Sequence, residues 1–313
     1  MDEIWKEIIE ELFHDFCFFF MPDLAKHIDF SMGYEFLDKE LLKIYPESEE
    51  IKRFADKLVK VFFKDNGERW ILIHIEVQGY NDKEFSRRMF VYFYRILDKY
   101  RKEIAAIAIF ADDNKKFKPS SFRYEFFDTK LVYKYRTYKI LESSSEELMN
   151  SSNPFALVVL AARNAINAKN NEGSKLKFKI ELTRLLMQRG FTQDKIISIF
   201  RFIDGVLELN DEAKVNIFYE EVGKSGGDKI MQVMGNVEQR GYKRGMQQGM
   251  QQGMREGMLK AIRLGLDLKF GAAGMKLYPG IKKVKDIDIL DAISECIRSA
   301  ASLADVERIY KDE

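Results

Sequence analysis

Apolar side chains recur along the chain with more than one period, and the changes of period mark the elements. Over residues 2 to 20, Ile4, Ile8, Leu12 and Phe16 return every fourth position, which predicts a helix. Pro22 and Asp23 suit a new helix start through "DLAKHIDF", and "GYEFLDKELLKI" predicts another amphipathic segment closed by "YPESEE". From Phe54 to Gly79 the pattern turns to β. "FADKLVKVFFKDNGERWILIHIEVQG" holds two β-rich runs around Asn66-Gly67, a strong hairpin signal. Residues 82 to 102 return to helical spacing, and "IAAIAIFAD" predicts a short buried strand. "KKFKPSSFRYEFF" and "KLVYKYRTYKIL" read as loop and edge strands. After polar "ESSSEELMNSSNP" the pattern is helical, from "FALVVLAARNAI" to amphipathic helices over 281 to 313. The expected organisation is an α/β domain over 1–145, a helical domain over 146–240, a Gly/Met/Gln repeat over 241–258 and a helical tail over 259–313.

The hairpin carries the first candidate chemistry, because its loop length decides which residues share a face. Val59, Val61 and Phe63 in the first run and Ile71, Ile73, Ile75 and Val77 in the second all sit at odd positions. They share one core face only if paired residue numbers sum to an even value. A two-residue Asn-Gly loop gives an odd sum. A three-residue loop, Asp65-Asn66-Gly67 with Gly67 left-handed, gives an even one and brings Asp56 opposite Glu76. The other face then gathers Asp56, Lys60, His74, Glu76 and Gln78 on the outward side of the strands. Opposed carboxylates about 5 Å apart repel unless a cation lies between them, and Mg²⁺ suits such oxygens. Two acids bridging Mg²⁺ can bind a phosphate oxygen and activate a water, while Gln78 offers hydrogen bonds but no base. The plainer alternative is a solvated hairpin face, with Asp56 paired to Lys57 or Lys60 and His74 a structural histidine.

Composition narrows the rest. The chain has 313 residues, is 46% hydrophobic and 32% charged, and carries a net charge of +1, so a polyanion site must be a local patch. Cys17 and Cys296 are far apart with no metal-ligand spacing, which points to a reducing cytoplasmic setting. The first residues, "MDEIWKEIIEEL", are acidic rather than a basic leader, and "FCFFFMP" is too short to span a bilayer, so no membrane partner is expected.

The run "ADKLVKVFFKDNGERWILIHIEVQGY", followed by "FSRRMFVYFYRILDKY" and "IAAIAIFADD", resembles the PD-(D/E)XK nuclease-family transposases, relatives of the recombination-promoting Rpn nucleases. The resemblance is close over about residues 22 to 160 and looser beyond. It implies a restriction-endonuclease-like α/β core with a mostly helical C-terminal half, and metal-dependent DNA endonuclease activity. Carried over, Asp56, Glu76 and Gln78 are the implied catalytic residues, and Asp56, Glu76 and Val77 the implied metal ligands. Mg²⁺ is the implied cofactor, with Mn²⁺ and Ca²⁺ as alternatives. Gln78 stands where many nucleases of the wider superfamily have lysine, so a transition-state charge is missing, and Lys60 is a candidate to supply it. Glu35 or Asp38 is a candidate further acid. The alternative is a nucleic-acid-binding or regulatory relative that keeps the fold with weak or no catalysis.

Two further features bear on partners. In the helix after Glu76, Phe85, Met89, Tyr92, Phe93, Ile96 and Tyr100 form an apolar stripe, with Arg88, Arg95, Lys99 and Lys102 expected away from it. Arg87 and Arg88 are expected to meet DNA phosphates near the helix start, together with Lys60 and Arg95. From Lys115 to Lys139, Lys and Arg alternate with Tyr and Phe, which suits backbone contact and base stacking. The repeat "GYKRGMQQGMQQGMREGM" places Gly at 241, 245, 249, 253 and 257. It reads as a partner-dependent helix or hinge through which the chain forms a homo-oligomer, or as a flexible linker.

Overall fold

A computed structural model describes residues 2–38, 56–64, 70–284, 286–300 and 302–311. The first helical stretch is two helices rather than one. Helix α1 (Asp2–Glu11) ends where Leu12 leaves helical geometry at φ −120° and ψ 31°, and α2 (Phe13–Phe20) follows. The Pro22 start yields only a single turn, α3 (Pro22–Ala25). The expected helix in "GYEFLDKELLKI" begins instead as an extended strand, β1 (Tyr34–Phe36). Tyr34 and Phe36 alternate onto the Phe13 ring, with centroids 4.7 and 5.5 Å away, and that packing favours strand over helix. From residue 39 onward that segment lies outside the described residues.

The hairpin forms as β2 (Asp56–Phe62) and β3 (Trp70–Gln78), antiparallel, with Asp56 opposite Glu76, Val59 opposite Ile73 and Val61 opposite Ile71. Every pair has the even sum that puts the odd apolar residues on one face. The Asp65-Asn66-Gly67 loop expected to set this register lies outside the described residues. Helix α4 (Phe85–Tyr100) then crosses over to β4 (Ile104–Phe110), which pairs parallel to β3. The chain next forms a separate hairpin, β5 (Ser121–Phe126) and β6 (Thr129–Lys134), and returns as β7 (Arg136–Lys139), parallel to β4. The result is a five-stranded mixed sheet in the order β1-β2-β3-β4-β7.

Both faces of this sheet are covered, which corrects the expectation of an outward, polar face. The odd face meets α1 and α2: Lys57 pairs with Glu10 and Asp38, and Tyr138 lies against Phe20 with ring centroids 4.8 Å apart. The even face is covered by α4, which buries Phe85, Met89, Tyr92 and Ile96 against Leu58, Leu72, Ala108 and Phe110. The β5–β6 hairpin packs on the far side of α4, with Phe90 stacked on Phe122 at 5.0 Å and Phe93 on Tyr133 at 4.6 Å. His74, Glu76 and Gln78 are therefore interior groups at 0%, 1% and 2% exposure.

The chain continues as α5 (Ser145–Asn150), α6 (Phe155–Ala168), α7 (Glu172–Gln188) and α8 (Gln193–Val206). Polar residues 142–154, expected as a domain boundary, run inside one compact unit that spans Met1–Met234. The cause is aromatic: Phe155 packs on Phe16 and Phe20 at 5.2 and 5.4 Å, and Trp5 meets Phe202 edge-on at 4.9 Å. Helix α9 (Glu212–Met275) carries the glycine repeat as helix. A second unit, Gly235–Glu313, adds α10 (Tyr278–Ile281), α11 (Ile287–Ser299) and α12 (Leu303–Lys311) around Ile262, Leu266, Leu290 and Ile293. Among the described residues no helix is long and apolar enough to cross a membrane.

Candidate active site

Main-chain direction decides how close Asp56 and Glu76 come. The Leu72 N–H donates to Glu103 and the Ala111 N–H to Gln78, so even residues of β3 turn their peptide groups toward β4. The Leu37 N–H donates to the Leu58 carbonyl, so even residues of β2 turn theirs toward β1. Asp56 and Glu76 thus form a non-hydrogen-bonded pair, the type with Cα atoms only about 4.5 Å apart and the closest side-chain origins. By the same alternation the main chain of Val77 faces the β2 side, and its side chain points into the odd-face core. The main chains of Asp56, Glu76 and Val77 lie together at one end of the β2–β3 pair.

Arg88 closes this group, and its position departs from the sequence expectation. It was expected on the DNA-facing side of its helix; it is 6% exposed and turned onto the sheet. Its Nη2 donates to Glu76 Oε1 at 3.0 Å and to Gln78 Oε1 at 2.8 Å, and its Nη1 pairs with Asp82. Burial pulls the guanidinium pKa down, but the charges and hydrogen bonds of Glu76 and Asp82 outweigh that and raise it. Arg88 is held charged inside the fold. Gln78 is committed as well, since its Nε2 donates to the Tyr80 carbonyl at 2.8 Å. The carboxamide orients Arg88 and is not poised over a phosphate. His74 Nε2 stands 3.7 Å from Glu76 Oε2, and its ring lies 4.9 Å from Tyr92.

The other sequence candidates separate from this group. Lys60 pairs with Leu72 in the register and lies 3.9 Å from Glu35 on β1. Four strand residues from Asp56 place it about 13 Å along the strand, too far to complete the acid pair. Asp38 is taken by Lys57 on the opposite face, and Glu35 stands beside Lys60. Arg87 is exposed, within 3.7 Å of Glu84, and Arg95 is half-buried. The sequence assigns Arg88 to DNA phosphates rather than to the acid pair, and it does not single out Asp82. A signal was present: Arg88 falls three residues after Phe85 and four before Tyr92, inside the apolar stripe, where a cation needs a buried acid.

Tyr135 borders the group, its hydroxyl 3.2 Å from Ser86 Oγ. Burial raises its pKa to about 12 from 10.0, against opposing contributions from Ser86 and Arg88. An acid raised in the folded state holds its stabilisation below the unfolded value and loses it as pH climbs to the folded one. Stability is therefore expected to fall between pH 10 and 12 by up to about 1.4 kcal/mol per pH unit relative to Tyr135→Phe, measured by urea unfolding. Equal slopes for the two proteins would rule out a buried neutral phenol.

Among the described residues no group of three or more His, Cys, Asp or Glu side chains is arranged to hold a metal ion. Register alone sets Asp56 opposite Glu76 beside the Val77 main chain, and carboxylate and carbonyl oxygens are the donor type that Mg²⁺, Mn²⁺ and Ca²⁺ take. No protein-family model, no curated protein and no solved structure matches this chain.

Proposed function

We propose that the protein is a metal-dependent DNA endonuclease of the PD-(D/E)XK transposase and recombination-promoting type. The observation that carries this reading is the register: Asp56 stands directly opposite Glu76 in a non-hydrogen-bonded pair, with Gln78 one pleat on. The strand, strand, crossover helix, parallel strand order from β2 to β4 supports a restriction-endonuclease-like core. Asp56, Glu76 and the Val77 carbonyl would hold the cation. When bound, a divalent cation polarises the scissile phosphate and lowers the pKa of an attacking water.

The chain's own residues do the rest. Arg88 sets a guanidinium 3.0 Å from the Glu76 carboxylate. Gln78 and Asp82 hold the Arg88 guanidinium at the acid pair, so the cation missing from the Gln78 position comes from the next helix. Arg88 is read as a positioning residue with a charge, and Lys60 as a surface residue. DNA contact falls to exposed groups: Arg87 on α4, and Arg123, Tyr124, Phe126 and Phe127 on the β5–β6 hairpin, where Phe127 is 84% exposed.

One observation favours the second reading, a DNA-binding or regulatory relative without useful catalysis. Glu76 is 1% exposed and already neutralised by Arg88, so substrate and cation reach it only if the Arg88–Asp82 side chains give way. Plasmid nicking by the purified protein with Mg²⁺, against an EDTA control, separates the two. Nicking in Mg²⁺ supports the nuclease; DNA binding with no nicking in Mg²⁺, Mn²⁺ or Ca²⁺ supports the relative. If the protein nicks, Lys60→Ala is expected to stay within about two-fold of the parent rate, because distance and screening leave its charge little effect. A hundred-fold loss would return the missing-charge role to Lys60.

A further inference from the structure

The last third of α9 is apolar on two opposite faces. One face, with Leu259, Ile262 and Leu266, is buried in the core of the C-terminal unit. The other runs Met254, Gly257, Ala261, Leu264 and Leu268, with steps of three and four residues in alternation. It is open: Met254 is 46%, Leu264 60% and Leu268 79% exposed, and no atom lies within 4 Å of a Cβ built at Gly257. Alternate steps of three and four mark the face a helix turns lengthwise onto a second helix. Isolated surface leucines need no explanation, but a continuous seam at this spacing does.

We infer that this seam is a homodimer interface in which α9 pairs antiparallel with α9 of a second copy, about a twofold axis near Ile262 and Arg263. Two independent properties favour a second copy over another occupant. The first is size. In this arrangement Leu268 falls on Gly257 of the second copy and Leu264 on Ala261, so each large side chain meets a small one and symmetry repeats the match. The second is charge. The residue before Ala261 is Lys260 and the residue before Leu268 is Asp267, and in an antiparallel pair these flanking positions face each other. Lys260 then meets Asp267 of the second copy, twice per dimer. A parallel pairing instead sets Leu264 against Leu264 and brings Lys260 beside Gly265, losing both matches. The interface lies mostly beyond the 241–258 repeat, sharing only Met254 and Gly257 with it, and does not depend on nuclease activity.

Sedimentation velocity of the full chain at micromolar concentration tests this. The expected species is a dimer. Leu264→Lys is expected to raise the dissociation constant by on the order of a hundred-fold, since the side chain is buried once in each copy, with an unchanged circular dichroism spectrum. Lys260→Asp is expected to weaken the dimer by sedimentation and salt response, and adding Asp267→Lys to restore it. A monomeric parent chain, or a Leu264→Lys variant that stays dimeric, overturns the interface. A charge swap that fails to restore association overturns the antiparallel register.

Discussion

Glu76→Gln is expected to lower Mg²⁺-dependent plasmid nicking by about a thousand-fold or more, near 4 kcal/mol of lost transition-state stabilisation, while the fold survives. The substitution keeps the shape of the side chain and an oxygen for the 3.0 Å hydrogen bond from Arg88 Nη2. It removes the negative charge that would share a cation with Asp56. Arg88 keeps Asp82 as its counter-ion, so the stability cost is expected to be modest, about 1–3 kcal/mol by urea unfolding. Wild-type nicking by this variant would remove Glu76 from the reaction and with it the nuclease reading of the site. Retained DNA binding beside lost nicking is the result that separates a chemical from a structural role.

Arg88→Met is expected to have the larger effect on stability. It strips a buried carboxylate, 1% exposed, of its cation, and breaking such a pair from one side costs about 3–5 kcal/mol. Urea unfolding is the direct measurement. The informative comparison is the double variant Arg88→Met with Glu76→Gln, expected to recover part of the loss because neither charge is then stranded. Additive losses would mean that Arg88 and Glu76 do not act as a pair. Arg88→Lys keeps a charge but not the fork that reaches Glu76, Gln78 and Asp82 together, so it is expected to fall between the two.

The parts of the fold that were legible in the sequence are those fixed by short-range periodicity. Odd-numbered Val59, Val61, Ile71 and Ile73 share a face only in registers with an even sum, and the observed register is one of these. The strand Ile104–Phe110 and the apolar stripe of α4 follow from the same local rules. What was not legible depended on packing between distant segments. Tyr34 and Phe36 become a strand because Phe13, on another helix, receives their rings. His74, Glu76 and Gln78 read as solvent-facing because polar residues usually are, and no local pattern shows that α4 will fold over them. Arg88 resembles its basic neighbours Arg87 and Arg95 in type, although its place in the stripe marks it as interior. The acid pair was visible, and its counter-ion was not.

The aromatic seam between the sheet and the later helices bears on how this protein can be taken apart. Phe155 is wedged between Phe16 and Phe20, Trp5 meets Phe202, and Arg201 reaches back to Glu11 at 2.6 Å. A gene fragment that stopped at residue 145 would encode every described strand and every acid of the site, yet leave bare the sides of α1 and α2 that pack on Phe155 and Phe202. The sheet-bearing half is therefore not a portable module. Helices α6 to α8 are its second wall, and any recombination that exchanged one without the other would have to rebuild that wall.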